Sequence, residues 1–317
     1  MLQKSRFVSL LVSAAMVFTM LSLGIPAAQA SPVTLDISAG DIIIAASGSY
    51  IITQSSSVAE TVYGITVADS VYADITLSGV NIDITAKSPF AINANAQVNL
   101  TLEAGTDNTL CSDDGSDVVQ ANGFAALQMA ANSELVIDGG GTLRATGGDH
   151  CAGIGGGQGG DGGTVTINEG TVYANGGYAG AGIGGGEGGD GGTITINGGT
   201  VEAVGGDPGA GIGGGGKGFS GSGSGGAAGI ITITNGNVTA IGGNYGAGIG
   251  GGYGNNGGTI EISGGEITAT GGSMGAGIGG GGTYGGENLV DISVPNHSNL
   301  DCRAFPSQNI LDHQHAL

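Results

Sequence analysis

The stretch GAGIGGGEGGDGGTITINGGTVEAVGG, Gly180 to Gly206, decides the fold of this chain. Its first seven residues carry one side chain larger than a methyl group, Ile183. The rest alternates. Ile194 and Ile196 point one way and Thr193 and Thr195 the other, then Val201 and Ala203 oppose Thr200 and Glu202. Period-two alternation of β-branched residues, cut by Asn197-Gly198 and Gly205-Gly206, is strand-and-turn chemistry.

The unit repeats. The motif (G/C)AGIGGG returns with its isoleucine at Ile154, Ile183, Ile212, Ile249 and Ile278, at spacings of 29, 29, 37 and 29 residues. The long spacing holds KGFSGSGSGGAAG and reads as one coil with eight extra residues in a loop. Between the motifs, Val165 and Ile167, Ile194 and Ile196, Ile231 and Ile233, and Ile260 and Ile262 share columns. A second strand aligns Val172, Val201, Val238 and Ile267 with Ala174, Ala203, Ala240 and Ala269. Three short strands per unit, stacked about 4.8 Å apart, turn these columns into aliphatic ladders inside a narrow core. The expected fold is all-β: a right-handed parallel β-helix, a solenoid with Gly-rich coils of 29 residues.

Glycine marks the boundaries of that region. All but eight of the 72 glycines lie between Gly139 and Gly286. Glycine adopts left-handed φ values and lets backbones approach closely, at the largest entropy cost of any residue. A flexible linker has the same composition, but apolar residues that never leave their columns argue for order.

The chain divides into four parts. Residues 1–30 read as a signal peptide: Lys4 and Arg6, then FVSLLVSAAMVFTMLSL, then Ala28-Gln29-Ala30 before Ser31. Residues 31–138 keep the alternation without a fixed period, as irregular coils of the same solenoid. Residues 139–292 are the Gly-rich repeats, and 293–317 form a non-repeat tail or cap. The expected location is secreted, extracellular or at the cell surface.

Charge excludes some partners. The chain has six basic and 26 acidic residues. Removal of the leader takes two basic residues and no acidic ones, leaving 4 − 26 = −22. Such a surface repels nucleic acid and anionic membranes. Three cysteines, Cys111, Cys151 and Cys302, are too scattered for a disulfide framework. A Cys111–Cys151 bridge stays open, with Cys151 otherwise a substitution in a glycine column.

The residues are familiar as a group. GAGIGGG followed by GGTITINGGTV resembles Gly-rich extracellular proteins of Gram-positive anaerobes that carry a carbohydrate-binding domain label. TLDISAGDIII, GSYIIT and VNLTLEAGTDNTL are similar to the opening of the same proteins, and the resemblance spans about residues 33–292. A related group, similar in plan, consists of calcium-containing parallel β-helices that bind polysaccharide without cleaving it. The resemblance implies a non-catalytic, polysaccharide-binding protein.

Candidate site residues follow from chemistry. Asp161 and Asp190 share one column, continued by Phe219, Asn256 and Gly285, with Glu187 nearby in sequence. Stacked like charges repel unless a cation lies between them, so calcium is the candidate cofactor. CSDDGSD supplies a second acidic group, Asp113, Asp114 and Asp117. For a glycan partner the candidate platforms are Tyr173, Tyr178, Tyr245 and Tyr253, since the chain has no tryptophan.

Catalysis has little to work with. Past the leader the only basic side chains are Lys87, Arg144, Lys217 and Arg303, whereas lyase chemistry on this fold needs a positioned base. A purely structural or adhesive surface role is the alternative. Less favoured are a lyase-like enzyme and an ice-binding protein. For the latter, Thr164, Thr166, Thr193 and Thr195 form a T-x-T array that breaks at Ile230 and Glu261.

Overall fold

A computed structural model describes residues 31–112, 123–218, 225–283 and the backbone of 300–303. Every strand pairing is parallel, and the strands form three sheets of nine, nine and eight strands. Sheet 1 runs from Val33–Asp36 through Gly48–Thr53, Tyr72–Ser78, Gln97–Leu102 and Glu134–Asp138 to Thr259–Ile262. Sheet 2 runs from Ile42–Ile44 to Ile278–Gly279, and sheet 3 from Asn81–Asp83 to Leu300–Arg303. Each regular coil visits sheet 1, then sheet 3, then sheet 2. The fold is the right-handed parallel β-helix that the columns predict.

The ladders are as expected. Val165, Ile194, Ile231 and Ile260 pair in succession in sheet 1, and Val172, Val201, Val238 and Ile267 in sheet 3. Ile212 sits between Ile183 and Ile249 in sheet 2, and all three are fully buried. Burying an isoleucine side chain is worth about 1.5–3 kcal/mol, so each coil adds several such increments to one continuous core. The turn from sheet 1 to sheet 3 needs a left-handed residue, supplied for example by Gly199 at φ 78°. Beside it, side-chain amides stack. Asn197 donates to Asn168 Oδ1 at 3.1 Å, and Thr234 donates to Asn197 Oδ1 at 2.9 Å.

The Gly-rich strands of sheet 2 have two residues each, Ile-Gly, and both are buried. The isoleucine faces the core. The glycine faces outward, into two turns that close over it. Gly184 has φ 137°, and a Cβ placed there would lie 1.9 Å from the carbonyl oxygen of Gly213 in the next coil. No side chain fits, which is the physical reason the motif is AGIGGG and not alternating.

The earlier coils are more regular than their sequence. Tyr50 pairs with Ile75 and Ile75 with Leu100, two successive steps of 25 residues (75 − 50 and 100 − 75). The missing sequence signal has a plain cause: without glycine turns, outward residues are free to vary and no motif repeats. The next step, Leu100 to Ile137, is 37 residues long (137 − 100) and includes 113–122. Sheet 1 passes unbroken from these coils into the Gly-rich ones, since Glu134–Asp138 pairs with both Gln97–Leu102 and Thr164–Ile167. In the tail, Leu300–Arg303 pairs with Glu266–Thr270 as the last strand of sheet 3. Among the described residues no helix is long and apolar enough to cross a membrane.

Candidate functional site

The two turns that close over sheet 2 form a ridge along the solenoid. Backbone bonds join them: Glu187 N–H to the carbonyl of His150 at 2.8 Å, Gly216 to Ala179 at 2.6 Å, and Gly282 to Tyr245 at 2.8 Å. Bulk appears on this glycine framework only where a side chain can project outward. Most of the expected site residues fall here.

At one end, the rings of His150 and Tyr178 meet edge to face, 5.4 Å apart. His150 occupies a left-handed position, φ 65°, where the next coil has Ala179 at φ 60°. It is only 8% exposed. Its Nδ1 lies 2.9 Å from Glu187 Oε2, close enough for an ion pair but off the line of a hydrogen bond. Gln158 Nε2 donates to the same carboxylate oxygen at 3.2 Å. The Tyr178 hydroxyl is pushed up to about 12, by burial first and then by the charges of Asp207 and Glu187. It stays a neutral donor throughout the ordinary pH range.

Further along, Tyr245 and Tyr253 pack edge to face at 5.2 Å, and Lys217 Nζ lies 5.9 Å from the Tyr253 ring. Asn244 donates to Asp207 at 2.9 Å beside them. The two tyrosines are eight residues apart and lie on opposite sides of the strand Ile249–Gly250; turn closure brings them together. Tyr173 is elsewhere. It stands on sheet 3 between Arg144 and Glu202, with the Arg144 guanidinium 4.3 Å from its ring centroid. A cation–π contact of that kind is worth about 0.5–1 kcal/mol at an exposed site.

The acidic column is real, but its contents differ from the expectation. Asp190 N–H donates to Asp161 Oδ1 at 2.9 Å, and Ala227 N–H donates to Asp190 Oδ1 at 2.8 Å. The third member is therefore Ala227 and not Phe219. The eight extra residues enter before this column, so counting by 29 falls eight residues short, and Phe219 itself lies outside the described residues. Asn256 continues the column, since its carbonyl accepts from Ala228 N–H at 3.4 Å. Glu187 is not brought to Asp161 and Asp190; it serves His150 and Gln158. Asp113, Asp114 and Asp117 lie outside the described residues, as does Gly285.

No group of three or more metal-ligating side chains occurs among the described residues. Calcium takes six to eight oxygens. The Asp161–Asp190 column offers only the carboxylate oxygens its hydrogen bonds leave over and does not form a cage. Cys151 is buried and is a free thiol. Burial pushes it up to about 12, so it is not a nucleophile at neutral pH.

Sequence reasoning missed a second polar group, on the outer face of sheet 1. Tyr72, Asp74 and Asn99 meet there: Asn99 Nδ2 donates to Tyr72 Oη at 2.6 Å and to Asp74 Oδ1 at 2.8 Å. The signal was present in the alternation of YADITLS and QVNLTL, whose outward members were not aligned because the 25-residue step was not seen.

Five stretches of the chain, residues 135–158, 165–187, 194–216, 231–253 and 260–282, match the family model described as a beta helix repeat. Their starts form one core column, Leu135, Val165, Ile194, Ile231 and Ile260, paired strand to strand. The third stretch ends just before the extra loop and the fourth resumes in register. Fold and repeats together define a β-helix repeat protein. No curated protein matches the chain, and no solved structure does.

Proposed function

We propose that the protein is secreted and binds polysaccharide, without cleaving it, at the cell surface or in the extracellular space. The observation that carries this reading is the Tyr245–Tyr253 pair, half-buried on the ridge beside Lys217 and Asn244. Tyrosine joins an apolar face to a hydroxyl and suits a wet, ring-shaped ligand. A solenoid repeats such surfaces along its length, which fits a polymeric partner. A non-catalytic role is supported by the scarcity of basic side chains, of which Arg144 is engaged with Tyr173. Calcium, in this proposal, acts at the Asp161–Asp190 column by neutralising charge.

The test is a glycan-array screen of the purified chain, with and without calcium. Binding to a defined class of polysaccharide is expected. Absence of binding to any glycan would favour the structural or adhesive role. Export is tested separately by the mass of the protein recovered from culture medium, which is expected to begin at Ser31.

A further inference from the structure

We infer that the outer face of sheet 1 over the early coils is a binding groove for a neutral glycan, read through Tyr72, Asp74 and Asn99. The inference rests on the polysaccharide-binding reading and adds a face and a ligand class. The groove is open and has a volume of about 430 Å³. Its lining includes Ser31 and Pro32 and, from the three strands, Ser49, Asp74, Thr76 and Asn99; Tyr72 stands outside that lining, hydrogen-bonded to Asn99.

Register builds it. Ser49, Asp74 and Asn99 are directly paired across three strands, and Ile51, Thr76 and Thr101 form the adjacent column. Tyr72 shares the face with Asp74, two residues before it, and is 46% exposed at the rim. Successive strands are about 4.8 Å apart, close to the length of one pyranose unit. A glycan laid along the solenoid axis therefore meets one polar row per sugar.

The hydrogen-bond inventory specifies hydroxyls. Asn99 spends its amide on Tyr72 and Asp74. Its Oδ1 is left as an acceptor. Tyr72 Oη accepts that bond, which leaves its own O–H to donate. Asp74 also receives Ser49 Oγ at 3.4 Å, and a carboxylate holds about four lone-pair sites, so acceptor capacity remains. A carboxylate, an amide carbonyl and a phenol O–H joined by these bonds match adjacent hydroxyls of a sugar ring, and the Tyr72 ring, 46% exposed, adds an apolar face beside them.

Charge specifies neutrality. Asp74 is the only charged side chain among the described residues that line the groove. Ser31 lines it too, and the α-amino group that leader removal frees there offsets Asp74, so the groove carries no net charge to select an anionic sugar.

The experiment measures binding of neutral glucose, mannose, xylose and galactose hexasaccharides by calorimetry, with an oligogalacturonate as anionic control. Variants are Asp74→Asn, Tyr72→Ala, the conservative Tyr72→Phe, and as a control Thr239→Ala on sheet 3, between Glu202 and Thr268, each checked for an unchanged melting temperature. Loss of about tenfold or more in affinity for Asp74→Asn and Tyr72→Ala is expected, since a charged hydrogen bond is worth that or more. A smaller loss is expected for Tyr72→Phe, and none for Thr239→Ala. Binding that survives Asp74→Asn and Tyr72→Ala would overturn the groove while leaving glycan binding standing. Stronger binding to oligogalacturonate would overturn the neutral class. Absence of binding to any of these sugars would overturn both the groove and the reading beneath it.

Discussion

The backbone N–H of Asp190 donates to Oδ1 of Asp161, 2.9 Å away, so an aspartate in one coil is the hydrogen-bond partner of the same position in the next. The carboxylate substitutes for a backbone carbonyl at the edge of a turn. Ala227 repeats the arrangement with Asp190. The two negative charges are thereby held one coil apart, and their repulsion is the cost of the bond. An asparagine in either position would keep the acceptor and remove the charge.

That relationship makes the calcium test clean. Millimolar calcium chloride is expected to raise the melting temperature more than sodium chloride of equal ionic strength. A calcium-specific gain of about 1 kcal/mol corresponds to about 2–4 °C for a chain of this size. The Asp161→Asn/Asp190→Asn double change should remove that part and leave the fold intact. Identical melting curves in the two salts would end the calcium proposal.

Core and surface positions should separate sharply. Ile212→Asp places a carboxylate between Ile183 and Ile249, fully buried, and is expected to cost about 4 kcal/mol or more. Thr195→Asp, on the outer face between Thr166 and Thr232, should stay within about 1 kcal/mol. Chemical denaturation midpoints measure both. Equal shifts would reverse the inward and outward assignment.

Two glycines of one coil, Gly184 in the strand and Gly188 in the turn after it, should behave differently. At Gly184 an added Cβ meets the Gly213 carbonyl at 1.9 Å; at Gly188, φ 72°, it meets nothing within 4 Å. Gly184→Ala is expected to cost about 3 kcal/mol or more, through forced separation of backbones. Gly188→Ala carries only the left-handed strain of about 1–2 kcal/mol. Thermal melts of the pair distinguish close stacking from turn conformation.

Acid should loosen the first coils. Burial pushes the Asp41 carboxyl up, but the Lys87 ammonium and the Gly64 N–H outweigh it and hold it below the usual carboxylate range. A carboxylate lowered on folding stabilises the fold fully above its unfolded pKa, about 3.9, and loses that contribution as pH falls through the folded value. Asp36 is lowered in the same sense, by the Ser38 N–H. Protection factors of amides in residues 33–67, the exchange rates taken relative to the unfolded chain at the same pH, are therefore expected to fall below about pH 4, and Lys87→Met should flatten the part due to Asp41. Protection factors independent of pH over that range would contradict the pairing.

How much of this was legible beforehand depended on whether a residue's role is local. The repeat of Ile154, Ile183, Ile212, Ile249 and Ile278 is written in the chain because each isoleucine must fill the same narrow space, and the glycines beside it are dictated by backbone contact. Strand number per coil, inward and outward faces and the eight-residue expansion all follow from such local demands. The point at which the extra residues enter does not, which is why Phe219 was placed in a column that Ala227 occupies. Nor does the sequence disclose that Glu187 turns to His150, that Tyr245 and Tyr253 touch while Tyr173 lies under Arg144, or that Tyr72, Asp74 and Asn99 meet on one face. Those are relations between coils. Sequence alternation determines which face a side chain takes, since the period of a strand is two. Only stacking of the coils determines which neighbour it meets there, because outward positions are not constrained to repeat.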